Sequence, residues 1–215
     1  SSISKEKKSK LESWGAATRT VGDVWDEANG EALKEAKISD MTYIHPFADP
    51  RVIYGQGTIS LEILHENPNI DILLVAIGGG GLAAGVAAAA KLIRAGSTVI
   101  GIEPEGAPTH HESRESGDLV TLSKIDTKAG TLAPRRSEPL NFNLISKYVD
   151  EIVLVSDNAM EDAARWLWFE LGIAAELSGA AAIAALSQKL VPIKNGSTIC
   201  SIICGGGTDG IGKTV

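Results

Sequence analysis

Apolar positions along this chain alternate between two spacings. Residues 72–77 form an uninterrupted run, Ile-Leu-Leu-Val-Ala-Ile, and residues 199–203 form a second, Ile-Cys-Ser-Ile-Ile. Runs this short, rich in branched side chains and without polar alternation, predict strands buried on both faces of a parallel sheet. Between them the apolar residues recur at three- and four-residue intervals, the spacing of helices with one buried face. The pattern predicts helices over 5–14, 23–36, 52–65, 83–94, 157–171 and 178–190, and strands over 18–21, 42–44, 71–77, 98–103, 151–155 and 198–203. Asn67-Pro68 marks the end of the helix over 52–65, and 117–139 reads as loop-rich. Alternating strands and helices define an α/β protein, an open parallel sheet with helices on both faces. A mild change of composition near 37–41 separates a Lys/Glu-rich opening, residues 1–40, from the remainder, 41–215. No internal repeat or low-complexity tract interrupts this order.

The glycines change the picture most. Gly78, Gly79, Gly80, Gly81 and Leu82 lie between the strand over 71–77 and the helix over 83–94. Glycine lets the backbone turn with positive φ and approach a ligand closely, and the following helix aims unpaired N–H groups and its positive dipole end at the same place. A phosphate is the expected occupant, against the plainer alternative of a strand-to-helix turn with no ligand. The spacing is neither Gly-x-Gly-x-x-Gly nor a loop ending in Gly-Lys-Ser/Thr, so a cofactor with one phosphate fits better than a nucleotide. A second glycine turn, Gly205-Gly206-Gly207, follows the last strand. Both turns leave the carboxyl ends of strands, the edge where open α/β sheets bind ligands.

Charge and composition then exclude several classes. The formal net charge of -7 over 215 residues argues against nonspecific nucleic-acid binding, which needs clustered Lys and Arg. The one basic run, 5–10, is interleaved with Glu6 and followed by Glu12, as on a solvated helix face. No apolar stretch reaches bilayer length, since the one around 83–93 is interrupted by Lys91 and closed by Arg94, and no secretory leader is expected. Cys200 and Cys204 share one strand-like segment, where they cannot build a disulfide framework. They point to a reducing compartment, the cytoplasm. They also make a poor metal site, because the four histidines, His45, His65, His110 and His111, are scattered.

Taken in order, five short segments resemble the fold type II pyridoxal-phosphate enzymes, in the serine/threonine dehydratase and serine racemase branch. They are Tyr-Ile-His-Pro-Phe-Ala-Asp-Pro-Arg-Val-Ile-Tyr-Gly-Gln-Gly-Thr at 43–58, Gly-Gly-Gly-Gly-Leu at 78–82, Ile-Glu-Pro-Glu-Gly-Ala-Pro-Thr at 102–109, Ala-Glu-Leu-Ser-Gly-Ala at 175–180 and Cys-Gly-Gly-Gly at 204–207. The resemblance runs through residues 1–210 without a break. Relatives that make cysteine carry a Gly-Thr-Gly-Gly-Thr type loop, and the tryptophan synthase β chain carries Gly-Gly-Gly-Ser; the loop here is similar to the dehydratase and racemase form. The resemblance implies a large domain like that of the tryptophan synthase β chain over 41–215, with 1–40 as the tail of a smaller α/β domain.

It also implies roles for particular residues. The N–H groups of Gly78, Gly79, Gly80, Gly81 and Leu82 would hold the phosphate of pyridoxal 5'-phosphate. Cys204 stands where the family places a Ser or Cys against the pyridine nitrogen. A neutral thiol cannot keep that nitrogen protonated as a carboxylate would, so the ring is a weaker electron sink, which favours early loss of a β-hydroxyl. Read from residue type alone, Cys204 is equally a small buried core residue, as Cys200 is taken to be. Glu103, Ala107 and Thr109 resemble a cation site of the same branch, with three oxygens for Mg²⁺, Ca²⁺ or K⁺. Several members carry Asp or Ser where Thr109 stands, and a glutamate ending a strand often serves only as a loop cap. His45 and Asp49 read as packing and turn-forming, Glu176 as a carboxylate favourable near a helix start, and Trp166, Trp168 and Phe169 as core or subunit contact.

The lysine of the family is missing. Its Ser-Phe-Lys-x-Arg-Gly-Ala type motif, and the Ser-x-Gly-Asn type loop after it, do not occur; Lys10, Lys124 and Lys147 follow serines but in the wrong context. No catalytic residue is therefore assigned within this chain. Family order implies that more than about a hundred residues precede Ser1 in a complete enzyme. A truncated piece is the preferred explanation, ahead of a second chain that supplies the front portion or a natural inactive fragment. The expected activity of the intact protein is a β-eliminating ammonia-lyase that converts a small hydroxy amino acid, serine or threonine, to a 2-keto acid and ammonia. The alternatives are an amino-acid racemase on the same scaffold and a noncatalytic cofactor-binding fragment. The expected partners are that substrate and further copies of the chain as a homo-oligomer, dimer or tetramer, with no nucleic acid and no membrane.

Overall fold

The computed structural model describes residues 5–22 and 25–211. The chain divides into two units, Ser1–Ile44 and His45–Val215, a few residues beyond the composition change near 37–41.

The first unit holds helices α1 (Lys5–Ser13) and α2 (Trp25–Ile38). The expected start of the second helix at Asp23 and Val24 lies outside the described residues. The strands expected over 18–21 and 42–44 are irregular chain instead. A strand needs a neighbour to take its N–H and C=O groups, and among the described residues this unit has none. Side chains hold these segments in its place: Arg19 pairs with Glu35 at 3.2 Å, and the Tyr43 hydroxyl donates to Asn29.

The second unit runs α3 (Pro50–Glu66), β1 (Ile72–Ala76), α4 (Gly81–Ile93), β2 (Thr98–Pro104), α5 (Thr109–Ser116), α6 (Pro139–Tyr148), β3 (Glu151–Val155), α7 (Asp157–Leu171), α8 (Leu177–Ser187) and β4 (Ile199–Ser201). The four strands are parallel, in the order β3-β2-β1-β4. The pleat sends alternate residues of β1 to opposite layers. Ile72, Leu74 and Ala76 join the core formed with α7 and α8, whereas Leu73, Val75 and Ile77 join the core formed with α3, α4 and α6. Both faces being covered explains why the run shows no polar alternation. Leu73 and Leu74 are fully buried, each worth about 2 kcal/mol of apolar burial.

β4 departs from that expectation. Ile199, Cys200 and Ser201 are only half-buried, because β4 ends the strand order and pairs with β1 alone. The helix expected over 178–190 stops at Ser187, where Lys189 takes a left-handed φ of 56° and Leu190 turns its N–H back to Ala185. Two helices were not expected. α5 is almost wholly polar and lacks the apolar spacing of a helix, and α6 carries only Pro139 as a start signal. Among the described residues no helix is long and apolar enough to cross a membrane.

α3 and α4 approach through glycine. A Cβ on Gly85 would lie 2.3 Å from the Ile53 carbonyl oxygen and 2.8 Å from the Gly57 nitrogen. Ser60, buried at this contact, donates to the Val86 carbonyl at 2.8 Å. This fixes α4, and so the turn that precedes it.

Candidate functional site

Beyond β1 the chain makes one more ladder bond, from the Ile77 N–H to the Ile102 carbonyl at 2.7 Å, and then enters the glycine run. α4 begins at Gly81 with Gly80 as its N-terminal cap residue, at φ 93°. The first helical bond runs from Ala84 N–H to the Gly80 carbonyl at 2.8 Å. Among the described residues, the N–H groups of Gly78, Gly79, Gly80, Gly81 and Leu82 donate to no protein acceptor. Unpaired donors at the positive end of a helix make an anion site.

The glycines are also required by what surrounds them. A Cβ on Gly78 would sit 2.7 Å from the Thr131 carbonyl oxygen, on Gly79 2.3 Å from the Phe47 ring, and on Gly81 2.4 Å from the Phe47 carbonyl oxygen. On Gly80 it would meet His110 Nε2 and Ile145 Cδ1, each at 2.7 Å. Residues Phe47, Thr131, His110 and Ile145 therefore pack directly against the run. Phe47 is placed by a tight turn in which His45 Nδ1 accepts from the Phe47 and Ala48 N–H groups at 3.3 and 3.0 Å. Asp49 caps α3 by accepting from the Arg51 N–H at 2.8 Å, and the Arg51 guanidinium holds its carboxyl down to about 2. Both residues have the packing and turn-forming roles that their types suggested.

Three buried side chains that sequence reasoning did not single out for this place meet the run, His110 from α5, Asn141 from α6 and Ser137 from the segment just before α6. Ser137 Oγ and Asn141 Nδ2 both donate to the Gly79 carbonyl, at 2.9 and 2.7 Å, and Asn141 Nδ2 also donates to the Phe47 carbonyl at 2.9 Å. His110 is fully buried, and burial pushes its imidazole down to about 4, against a smaller upward pull from the Gly79 carbonyl. That carbonyl is near the ring without a well-formed bond, since neither ring nitrogen of His110 has a hydrogen-bond partner among the described residues. The ring is neutral at ordinary pH.

Cys204 follows β4. The β1–β4 register pairs Ile72 with Ile199 and Leu74 with Ser201, and the Ile202 N–H continues the ladder to the Leu74 carbonyl at 3.0 Å. On the same offset Cys204 comes level with Ile77, at the foot of the glycine run. Its thiol donates to the Ser178 carbonyl at 3.6 Å, and burial pushes it up to about 11, with the Glu176 charge adding to the rise. The residue keeps an open surface although protein atoms crowd the sulfur. Gly205 and Gly207 are stitched to the segment before α8 by bonds from Glu176 N–H to the Gly205 carbonyl and from Gly207 N–H to the Ala174 carbonyl, at 3.0 and 3.1 Å. Glu176 accepts from the Ser178 hydroxyl and, at 3.0 Å, from Thr131. The first N–H of α8, that of Leu177, is taken by Asp209 at 2.9 Å.

Glu103, Ala107 and Thr109 lie at the far end of β2 and the start of α5. Both Glu103 carboxyl oxygens accept backbone bonds, from His110 and His111 N–H groups at 2.8 Å each. Burial raises this carboxyl to about 8, opposed by those two donors and reinforced by the Glu112 charge. The Ala107 carbonyl accepts from the Thr109 N–H at 3.0 Å, and Thr109 Oγ1 donates to the Pro134 carbonyl at 2.8 Å. All three groups are thus engaged as a helix cap and loop anchor. No cluster of three or more His, Cys, Asp or Glu residues suited to a metal is found among the described residues. On α7, Trp166 and Phe169 are 48% and 72% exposed, so they lie outside the core.

Known proteins of this construction exist. The sequence profile described as pyridoxal-phosphate dependent enzyme matches residues 1–205. The L-threonine ammonia-lyase of Thermotoga maritima is 36% identical over 200 residues, which cover 93% of this chain and 49% of that protein. The serine racemase of Oryza sativa subsp. indica is 39% identical over 195 residues, covering 86% of this chain and 57% of that protein. The solved structure of maize serine racemase superposes with a TM-score of 0.88 at 31% identity, over 95% of this chain and 63% of that one. The chain spans about half the length of the curated threonine ammonia-lyases it matches.

Proposed function

The chain belongs to the pyridoxal-phosphate dependent enzyme family, and on that premise we propose that it is part of a β-eliminating ammonia-lyase that turns serine or threonine into a 2-keto acid and ammonia. The observation that carries the reading is the set of unpaired N–H groups from Gly78 to Leu82 at the head of α4, with a thiol held protonated at their foot, just past the end of the neighbouring strand β4. These residues fit the cofactor. The five N–H groups would take its phosphate, and Cys204 would face its ring nitrogen. Bound there, the cofactor supplies an electron-withdrawing ring that acidifies the α-hydrogen of an amino acid. Cys204, neutral at physiological pH, would leave the ring nitrogen without the anionic acceptor that keeps it protonated. α4 and the residues packed against Gly79 and Gly81 would keep that phosphate-binding loop in place.

The rice and maize serine racemases favour a second reading, racemisation on the same scaffold. Supplying the active enzyme with L-serine and L-threonine separates the two: pyruvate or 2-oxobutanoate with equimolar ammonia supports elimination, and D-serine without keto acid supports racemisation. A third reading is a noncatalytic cofactor-binding fragment. It agrees with the absence from this sequence of the lysine motif that the resemblance leads one to expect. We expect the 215-residue chain alone, mixed with pyridoxal phosphate, to release no keto acid from either substrate above the rate of the free cofactor, as a coupled dehydrogenase assay would show. Turnover near 1 s⁻¹, on the order of ordinary enzyme rates, would place the catalytic base inside this chain after all.

The proposal extends to a cation at Glu103, Ala107 and Thr109. Burial favours the protonated form of Glu103, and a hard cation such as Mg²⁺, Ca²⁺ or K⁺ would take the place of that proton: an ionised carboxylate has about four lone-pair sites, of which the two cap bonds to α5 use two. Glu103→Ala removes the cap and the ligand together. It is expected to lower stability by about 3 kcal/mol, the cost of stranding one buried and one half-buried N–H group. Thermal unfolding should show a rise on adding Ca²⁺ to the parent protein and none in the variant; equal rises in both would remove the cation from this place. The exposed Trp166 and Phe169 support assembly as a homo-oligomer, and the two free cysteines support a reducing, cytoplasmic setting.

A further inference from the structure

A glycine run has a weakness as an anion cradle. With no Cβ on either side, each peptide plane rotates at little cost, and a rotated plane offers a carbonyl oxygen where an N–H had been. An anion is then repelled by the group that should bind it. Something outside the run must set the orientation of each plane.

We infer that Ser137 and Asn141 are positioning residues that set the plane between Gly79 and Gly80. The peptide is trans, so the Gly79 carbonyl and the Gly80 N–H point to opposite sides. Ser137 Oγ and Asn141 Nδ2, both buried, hold that carbonyl inward at 2.9 and 2.7 Å. The Gly80 N–H is therefore turned outward, and it has no acceptor among the described residues. His110 Nε2 and Ile145 Cδ1 crowd the place where a Cβ on Gly80 would stand, and a swing of the plane would have to break the bonds from Ser137 and Asn141. Asn141 has a second task. Its other amide hydrogen goes to the Phe47 carbonyl at 2.9 Å, and Phe47 packs against Gly79 and Gly81. One amide thus ties the run and the wall beside it to α6. Two donors on one nitrogen are needed for that, which an aspartate in its place could not offer.

The inference rests on the reading that the run holds the cofactor phosphate, and the test keeps the two apart. The protein is stripped of cofactor, and its affinities for pyridoxal phosphate and for pyridoxal, which lacks the phosphate, are measured by absorbance titration. Inorganic phosphate serves as competitor. The parent protein should prefer pyridoxal phosphate and lose that preference as phosphate is added. Because Ser137 and Asn141 hold the same oxygen, Ser137→Ala and Asn141→Ala should each reduce the preference only partly, by about 3- to 5-fold. The double variant should reduce it by about 50-fold or more, beyond the product of the single effects, with pyridoxal affinity nearly unchanged. Ser137→Thr, which keeps the hydroxyl, should retain the preference. Should the double variant fail to fold, the contrast between Ser137→Ala and Ser137→Thr decides, and equal values for the two overturn the inference. A parent preference that survives the double substitution also overturns it while leaving the phosphate reading intact. A parent protein with no preference at all overturns the phosphate reading and this inference with it.

Discussion

Replacing Gly80 with valine is expected to lower affinity for pyridoxal phosphate by at least about 100-fold. Gly80 sits at φ 93°, a conformation that β-branched residues essentially refuse, and its missing Cβ leaves room for His110 Nε2 and Ile145 Cδ1, each 2.7 Å from where that carbon would be. Valine must therefore move both the turn and its backing. Misaligning two charge-assisted bonds to a phosphate, each worth about 1.5–3 kcal/mol, accounts for a loss of two or more powers of ten. Gly96→Val is the control, because a Cβ at Gly96 meets nothing within 4 Å. Equilibrium dialysis of the two variants beside the parent protein makes the comparison. A Gly80 variant that binds within about 3-fold of the parent would mean that the phosphate is held elsewhere.

Cys204→Asp in the active enzyme is expected to reduce keto-acid formation by at least about 100-fold, whereas Cys204→Ser should stay within about 10-fold of the parent. The thiol is held up to about 11 and donates to the Ser178 carbonyl at 3.6 Å. It is neutral at working pH, and serine reproduces a neutral donor of similar size. Aspartate brings a negative charge that favours a protonated ring nitrogen and a different distribution of electrons in the cofactor. It also places a second carboxylate near Glu176, whose charge already acts on this position. Steady-state rates with serine and threonine, taken with substrate saturating, compare the three proteins directly. Equal rates for the aspartate variant and the parent would show that residue 204 does not touch the ring.

Much of this fold was legible in the sequence where one local cause dominates. β3 and α7 fall at Glu151–Val155 and Asp157–Leu171, the bounds expected, because Ser156 caps the helix by accepting from the Ala159 N–H and both elements bury a continuous apolar face. α5 was not legible because what stabilises it is tertiary. Its polar residues form a helix once Glu103, buried at the end of β2, takes the His110 and His111 N–H groups. The segments over 18–21 and 42–44 have strand-like composition, but composition does not supply a partner strand. In the candidate site, the glycine run and Cys204 could be read because each directly follows an apolar strand. Ser137, Asn141 and His110 could not, because nothing in a run of Gly79 and Gly80 announces side chains arriving from 30 to 62 residues away.

The layered construction divides the candidate site between the two sides of the sheet. Gly80 is backed by α5 and α6 and leads into α4, on one side of the sheet, while Cys204 leans on Ser178 of α8, on the other. The two sides have separate cores, and β1 divides its side chains between them. On the proposed reading, substitutions on the α5–α6 side would act first on the grip on the phosphate and those on the α8 side first on the environment of the ring, and the bond from Thr131, beside Gly78, to Glu176, before α8, is the link through which a change on one side would reach the other.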